Sequence, residues 1–517
     1  MSETIAPIGE MLTSTPPQDP TRRNLLKGIA ALSTSVLFSG CNKALTMTAS
    51  PTGQQIAVDP QPTPSGSSTQ ASLSVSANSA GSIGSGFVGL SYEKSALCEP
   101  LFTAANSDLI GLFTLLGPNV LRIGGNSVDQ CVWTPDGPGQ TAGQIAPSDV
   151  AALAAFVKAT GWQVIYGINL GGAATGATTP ELAAAEVAYA AKQLGSSLLG
   201  VEIGNECDGY GAVGSYFANN WSLAQFETLW EQFRSAILAV TPGVSITGPA
   251  SGSNVSTWTI PFGQSLTKNN LSMLTQHYYR GDGHSSTSTA VNLIASDSKL
   301  VNCLSLLNGA AKEIGIPFRL AECNSYFDGG AVGVSNSYAS ALWVIDFLFN
   351  CAQGGAAGVN LHGGGDANGY APIADNSGKV VEARPEFYGM TMFSLAGQGE
   401  LYQTNLSVGQ INATAYAVKT PSGGLNLVIV NKDTTQNLDL TISLPQTAGK
   451  ATLTTMTQLS PNATAPSLSA TSGVTIQDSP IAVNGAFAPS APYSLSANGS
   501  QLNCYVPALS AVLIETV

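Results

Sequence analysis

The feature that most constrains the fold is a repeated alternation of short apolar segments with longer helical segments between residues 86 and 392. Short apolar runs predict buried strands, and stretches such as "PELAAAEVAYAAKQL" carry apolar residues at helical spacing. Eight such strands predict a (β/α)8 TIM barrel rather than an open doubly wound sheet, whose first turn should carry a Gly-rich phosphate fingerprint. The predicted strands are residues 87–92, 120–123, 163–168, 198–203, 244–247, 273–278, 317–321 and 358–361.

The segments on both sides of the barrel region have a different pattern. Between residues 393 and 517, stretches such as "LNLVIVNK", "LDLTISLP" and "LSAVLIETV" are short alternating strands broken by Pro, Gly, Asn and Asp. This pattern is typical of a β-sandwich. Residues 71–85 begin with "ASLSVSANS", which also alternates, and the barrel starts only after them. The sequence therefore predicts a second, β-sandwich domain built from both ends of the folded chain.

The amino-terminal residues 1–40 are typical of a twin-arginine export signal. Arg22 and Arg23 precede a modest apolar run, 28–38, which ends at Ser39-Gly40-Cys41 and is too short to span a bilayer permanently. We expect an exported protein, periplasmic or at the cell surface. Cys41 is either a lipidated first residue of the mature chain, which would anchor it, or an incidental cysteine. Residues 41–70, mostly Thr, Pro, Ser, Gly and Gln in their central part, predict a flexible linker.

Composition excludes several classes of function. The net charge is -13, with only 19 Lys and Arg, and no basic run occurs beyond the first 30 residues. Nucleic acid, which demands clustered basic residues, is therefore not an expected partner. The 8 cysteines have no CxxC spacing and no accompanying His cluster, so neither a zinc site nor a cofactor is predicted. The sequence gives no indication of the oligomeric state.

Two glutamates at strand ends are the candidate catalytic residues. In such barrels the active site lies at the carboxyl ends of the strands. Glu206, in "VEIGNECDGY", follows the predicted fourth strand, and Glu322 follows the seventh. A polar loop or a salt bridge explains either one singly. Together they supply the two carboxylates that glycoside hydrolysis needs. Further polar residues follow other barrel strands, among them Glu93, Arg122, Asn126, His277 and His362.

Five stretches resemble glycoside hydrolase family 79, which includes β-glucuronidases and heparanases. In order they are "FVGLSYE", "LRIGGNS", "QHYY", "AECNSYFDGG" and "VPALSAVLIE", and the similarity runs from residue 71 to residue 517. The positions of Asn205-Glu206 and Glu322 also resemble the "4/7" retaining glycosidases. The resemblance implies a (β/α)8 barrel with a β-sandwich and a double displacement. It implies Glu206 as the acid/base, Glu322 as the nucleophile and Asn205 as a partner of the sugar 2-hydroxyl.

The resemblance also implies a substrate, a glucuronide or an acidic glycan. The hydroxyls of Tyr278 and Tyr370 and the N–H of Gly329 are implied to hold the sugar carboxylate. Phenylalanine stands at position 327, where a further tyrosine is expected, and it cannot donate a hydrogen bond. Two alternatives stay open: a neutral-sugar or endo-acting glycosidase, and a non-catalytic sugar-binding surface lipoprotein. The predicted substrate-binding residues are Asn205, Glu93, Asn126, Tyr278, Tyr326, Gly329 and Tyr370.

Overall fold

The computed structural model describes residues 59–212, 214–266, 271–365 and 369–516. The predicted export signal (1–40), Cys41 and most of the predicted linker (41–70) therefore lie outside the described residues. The last three residues of that linker belong to the first strand, β1, which begins at Ser68. Within the described ranges, no helix combines the length and the apolar content that crossing a bilayer requires.

Eight parallel strands form a closed barrel, which confirms the predicted (β/α)8 fold. Each strand pairs with the next one in the chain, and the last strand closes against the first. Most barrel-strand residues are buried, which explains why these strands are continuous apolar runs in the sequence. The barrel strands are β2 (Val88–Glu93), β3 (Val120–Gly124), β4 (Gln163–Ile168), β5 (Leu198–Ile203), β6 (Ile246–Ser251), β7 (Met273–Asp282), β8 (Phe318–Phe327) and β9 (Val359–Gly363).

Amphipathic helices surround the barrel and bury its outer face. The start of α3 illustrates how the sequence sets a boundary: Thr179 accepts a hydrogen bond from the Leu182 N–H at 3.3 Å, and Pro180 occupies the first turn. The helices are α1 (Ser107–Leu115), α2 (Pro147–Thr160), α3 (Pro180–Leu194), α4 (Leu223–Val240), α5 (Ile260–Ser265), α6 (Ala290–Leu293), α7 (Ser298–Ile314), α8 (Tyr338–Gln353) and α9 (Pro385–Ala396).

The second domain is a curled, mixed sheet of eleven strands. Strand β1 (Ser68–Ile83) belongs to it, pairing antiparallel with Gly399–Ser407 and parallel with Asn437–Ser443. The sheet encloses its own apolar core, which includes Leu73, Leu440 and Ile514. After β1, its strands are β10 (Gly399–Ser407), β11 (Ala413–Lys419), β12 (Leu425–Asn431), β13 (Asn437–Ser443), β14 (Ala451–Gln458), β15 (Val474–Ile476), β16 (Tyr493–Leu495), β17 (Ala497–Asn498), β18 (Gln501–Val506) and β19 (Ser510–Thr516).

Candidate active site

Glu322 lies in the seventh barrel strand and is almost fully buried. The Tyr279 hydroxyl donates to Oε1 at 2.9 Å, and Nη1 of Arg122 donates to Oε2 at 2.8 Å. The Nδ1 atoms of His362 and His277 lie 3.8 and 3.9 Å from Oε2. Burial acts to raise the pKa of this carboxyl, but the charges of His362, His277 and Arg122 outweigh it and hold the pKa well below its usual range. Glu322 is therefore ionised, as a nucleophilic carboxylate must be.

Arg122 holds Glu322 in position through the hydrogen bond that it donates to Oε2. Its guanidinium is fully buried, donates to Glu202 Oε2 at 2.6 Å and to Asn205 Oδ1 at 2.8 Å, and contacts Ser91 Oγ at 3.2 Å. Burial acts to lower its pKa, but the charges of Glu202 and Glu322 raise the pKa above its ordinary value. This permanently charged guanidinium links its own strand to side chains from three other barrel strands, and it limits the orientations open to Glu322.

Glu206, which follows the fourth barrel strand, is more accessible than Glu322. Its backbone has a φ of +48°, in the left-handed region, where a residue other than glycine stores about 1–3 kcal/mol. Its Oε1 lies 3.0 Å from Nδ1 of His277, and 37% of its side chain is exposed. A Cβ on Gly252 would lie 3.0 Å from the Glu206 carboxyl carbon, so glycine there leaves room for this carboxyl. Glu206 can exchange a proton with solvent.

The two carboxylates are close together and have unequal surroundings. A carboxylate oxygen of Glu206 and one of Glu322 lie within 4.8 Å of each other, with His277 between them. Inverting glycosidases need about 6.5–9.5 Å between their carboxyl groups to admit a water, whereas retaining enzymes have about 5–5.5 Å. Glu322 is surrounded by hydroxyl and cationic groups, and Glu206 contacts one imidazole. The geometry therefore suits one nucleophile and one proton donor.

Glu93 and His362 lie beside Glu322, with 3.6 Å between Oε1 of Glu93 and Nε2 of His362. Oε2 of Glu93 accepts hydrogen bonds from the N–H and the hydroxyl of Ser127, at 2.7 and 2.5 Å, and Oε1 accepts from the Asn126 N–H at 3.1 Å. Burial acts to raise the Glu93 pKa, but the hydrogen bond and charge of His362 and the Ser127 bonds lower it. A Cβ on Gly125, whose φ is +69°, would lie 2.5 Å from the Glu93 carboxyl carbon. Glu93 thus fixes the loop after the second strand.

The same cluster has the donor types that bind divalent cations. Glu206, His277 and Glu322 each offer one ligand atom, and these three atoms lie within 4.8 Å of one another. However, Oε2 of Glu322 already carries the Arg122 guanidinium at 2.8 Å, and that positive charge repels a cation at this oxygen. We therefore assign the cluster to acid–base and nucleophilic chemistry.

A cavity of about 590 Å³ opens at the carboxyl ends of the barrel strands and contains both carboxylates. Among the residues singled out from the sequence, those that line it are Glu93, Asn126, Glu206, Glu322, Gly329, His362 and Tyr370. Asn205 lies just beneath the wall: its Nδ2 donates to Asn126 Oδ1 at 3.3 Å. Phe327, which replaces the expected tyrosine, is 41% exposed and also lines the cavity.

The structure does not bring Tyr278 or Tyr326 into the cavity, which corrects their predicted position. The Tyr278 hydroxyl donates to Asp297 Oδ2 at 2.7 Å, and its ring stacks on Phe347 of α8. Neighbouring residues on a strand point to opposite faces, so Tyr279 faces Glu322 while Tyr278 packs against the surrounding helices. Tyr326 is buried beside Gly281, and its hydroxyl contacts the Thr289 carbonyl at 3.4 Å.

The lining residues that are absent from the predicted substrate-binding set include Tyr279 and Lys299. The strand periodicity contains a signal for Tyr279, because it lies two residues after His277 and therefore on the same face of β7. Lys299 belongs to α7 rather than to a strand end, and its sequence neighbours give no sign that it reaches the cavity.

The comparison of sequences finds one informative relative. No family model matches the chain. A β-glucuronidase of Aspergillus niger (strain ATCC MYA-4892 / CBS 513.88 / FGSC A1513) is 27% identical over 349 residues, which are 60% of this chain. The match spans 63% of the length of that relative.

Solved structures of glycoside hydrolases share the fold. A 4-O-α-L-rhamnosyl-β-D-glucuronidase from Fusarium oxysporum 12S, in complex with Rha-GlcA, superposes with a TM-score of 0.71 at 17% identity, covering 86% of this chain and 100% of that one. An α-L-arabinofuranosidase from Thermotoga maritima in complex with arabinose gives 0.62 at 15% identity, covering 87% of this chain and 100% of that one. Together with the sequence relative, these structures confirm the predicted resemblance to β-glucuronidase-like glycoside hydrolases.

Proposed function

We propose that this β-glucuronidase-like glycoside hydrolase cleaves β-glucuronides with retention of anomeric configuration. The observation that carries the proposal is the pair Glu206 and Glu322: one carboxylate oxygen of each lies within 4.8 Å of the other, at the ends of two barrel strands. Their unequal environments assign the roles. Glu322 is the buried, ionised nucleophile, and Glu206 is the accessible acid/base.

The reaction has two steps. In the first, Glu206 gives its proton to the glycosidic oxygen while a carboxylate oxygen of Glu322 attacks the anomeric carbon, which breaks the bond to the leaving group and forms a glycosyl ester. In the second, ionised Glu206 takes a proton from water, the resulting hydroxide attacks the anomeric carbon, and Glu322 leaves as carboxylate. His277 orients Glu206 through the 3.0 Å contact of its Nδ1, and Arg122 and Tyr279 orient Glu322.

Support for an acidic sugar comes from the relatives and from the cavity wall. The curated relative is a β-glucuronidase, and the structural relative from Fusarium oxysporum was solved with Rha-GlcA. The Tyr370 ring and the Gly329 backbone line the cavity, where a hydroxyl and an N–H can donate to a carboxylate.

One observation favours a second candidate, a neutral-sugar glycosidase. The exposed ring of Phe327 offers the substrate an apolar surface at a position where the resemblance implies a hydroxyl donor. An apolar ring contributes packing and no hydrogen bond to a carboxylate. The identity of the group at C5 therefore has to be decided by experiment.

The deciding experiment compares 4-nitrophenyl β-glycosides that differ only at C5: the glucuronide, the glucoside and the xyloside. We expect kcat/KM for the glucuronide to exceed that for the glucoside at least tenfold, about 1.4 kcal/mol, with Glu322→Ala as the inactive control. Equal efficiency on the two would support the neutral-sugar candidate. Lack of turnover of every glycoside would support the sugar-binding lipoprotein instead. Proton NMR of the glucuronide reaction should show the β-anomer of the free sugar first.

We also propose that the chain is exported, on the strength of the paired arginines Arg22 and Arg23 and the apolar run after them. Fractionation of cells producing the full chain should find it outside the cytoplasm, and replacing both arginines by lysine should retain it inside. Labelling with radioactive palmitate, compared with a Cys41→Ser variant, separates a lipid-anchored from an unanchored product.

A further inference from the structure

Lys299 brings a positive charge to a cavity that is lined by four carboxylates and by His362. It lines the same cavity of about 590 Å³ as Glu206 and Glu322, together with Phe327, Asp328 and Gly329. Four carboxylates line that cavity, and Lys299 is the only lysine or arginine among its described lining residues.

The ammonium group of Lys299 has no counter-ion in the described part of the chain. Its Nζ lies 3.4 Å from the carbonyl oxygen of Arg280, and no described carboxylate oxygen comes within 4.0 Å. The neighbouring cation, Arg280, differs: its Nη1 pairs with Asp297 Oδ2 at 3.1 Å. Arg122 likewise forms ion pairs with Glu202 and Glu322. Among the described lysines and arginines, Lys299 is therefore the one at this cavity that is available to a ligand, whereas the imidazole of His362 contacts Glu93 and Glu322.

The position of Lys299 near the amino terminus of α7 does not favour the stability of that helix. Lys299 is the second residue of α7, and Oδ1 of the N-cap residue Asp297 accepts a hydrogen bond from its N–H at 3.1 Å. The positive end of the helix dipole lies here and disfavours a cation. A lysine at this position thus needs a reason other than the stability of the helix.

We propose that Lys299 is a specificity-determining residue that pairs with the carboxylate at C5 of the sugar being cleaved. This rests on the proposed function. The ionised carboxylates that line this cavity repel an anionic sugar, and the flexible ammonium of Lys299, which lines the same cavity as Gly329, offsets that repulsion through a charge-assisted hydrogen bond. The long side chain of Lys299 allows its amine to follow the carboxylate from the cavity rim inward.

The test compares Lys299→Met with Lys299→Arg in the full chain. Methionine keeps a similar length without the charge. We expect Lys299→Met to lower kcat/KM for 4-nitrophenyl β-glucuronide about tenfold, mainly through KM, and to leave the glucoside within about twofold. Lys299→Arg should keep most of the glucuronide activity. The matched control, Lys312→Met, makes the same change at an exposed position near the other end of α7 and should change neither substrate.

Salt dependence and stability separate a substrate contact from a structural role. Raising the ionic strength from about 0.02 M to about 0.5 M should weaken glucuronide binding by wild type more than by Lys299→Met. The unfolding temperature of Lys299→Met should not fall, because the change removes a cation from a helix amino terminus. If wild type prefers the glucuronide and Lys299→Met keeps that preference in full, only the role of Lys299 is overturned. If wild type shows no preference, the proposed substrate and the role of Lys299 are both wrong.

Discussion

The hydroxyl of Tyr279 donates a hydrogen bond of 2.9 Å to Oε1 of Glu322. Burial, followed by the charge of Glu322, raises the pKa of Tyr279 well above its ordinary value, so the phenol stays a hydrogen-bond donor at every working pH. The bond holds one oxygen of the carboxylate while Arg122 holds the other. Tyr279 is thus a positioning residue for the proposed nucleophile.

Replacing Tyr279 by phenylalanine removes this bond and keeps the ring. A hydrogen bond to a charged group contributes about 1.5–3 kcal/mol, so kcat for 4-nitrophenyl β-glucuronide should fall roughly 10- to 100-fold. KM should change less, because the bond acts on the nucleophile. Steady-state kinetics of the purified variant provide the measurement.

Tyr278→Phe is the matched control. It makes the same chemical change one residue earlier, where the hydroxyl binds Asp297 on the outer side of the strand. Activity should stay within about twofold of wild type, and unfolding should become easier by about 1–2 kcal/mol because Asp297 loses a donor. A larger loss of kcat in Tyr278→Phe than in Tyr279→Phe would contradict the assignment of the two faces.

The barrel and its two carboxylates could be predicted from the sequence because each follows from a local pattern. Buried parallel strands need continuous apolar runs, and in a chain with only 10% charged residues a glutamate directly after such a run is conspicuous. Glu322 directly follows the predicted run, and Glu206 comes three residues after the end of its strand. Several strands of the curled sheet also show alternation with a period of two, as in β13, whereas β12 is buried along its whole length.

The substrate-facing residues could not be predicted as well, because at a strand end the orientation of a side chain does not follow from strand alternation. The pairing of β8 with β7 is unshifted from Glu322 onward, so strand alternation from Glu322 would bring Tyr326 inward, whereas Phe327, at the exposed end of β8, lines the cavity. Whether Lys299 reaches the cavity depends on a still longer-range relation, which is the angle at which α7 meets the barrel rim. No local pattern encodes that angle.

The His362 charge should set the acid limit of activity. Its pKa is raised: burial acts to lower it, but the charge of Glu322 and the hydrogen bond and charge of Glu93 prevail. Protonated His362 in turn lowers the pKa of Glu322, whose ionised form is needed, so activity is lost as pH falls through that lowered pKa. His362→Gln removes the charge, and the acid limb of kcat/KM should move upward by about 1 pH unit.

The pH profile of His362→Gln should be measured beside that of His284→Gln. His284 is exposed and does not line the cavity, so its replacement leaves the acid limb in place. A His362→Gln profile that coincides with wild type would show that Glu322 does not depend on this imidazole. A profile displaced toward lower pH would contradict the sign of the interaction.

Arg122 should be the charged residue to which stability is most sensitive. Arg122→Met leaves Glu202 and Glu322 without their buried guanidinium, and breaking a buried ion pair on one side costs about 3–5 kcal/mol. Lys158→Met, which removes an exposed cation from α2, should change the free energy of unfolding by less than about 0.5 kcal/mol. Urea unfolding followed by circular dichroism measures both. If the free energy of unfolding of Arg122→Met falls by less than about 1 kcal/mol, the carboxylates of Glu202 and Glu322 form other stabilising interactions in its absence.

The two glutamates should be distinguishable by what azide does for their variants. In Glu206→Ala the nucleophile is intact, so a glycoside whose leaving group departs without a proton still forms the glycosyl ester. The second step then lacks its base, and azide, which needs none, should attack the ester, raise the rate and give the β-glycosyl azide. In Glu322→Ala no ester forms, and azide that occupies the space left by the carboxylate should attack from the opposite face and give the α-glycosyl azide. NMR of the two products gives the anomeric configuration of each glycosyl azide, which identifies the role of each glutamate. The β-azide from Glu322→Ala, or the α-azide from Glu206→Ala, would reverse the assignment made from burial and from the contacts with Arg122 and Tyr279.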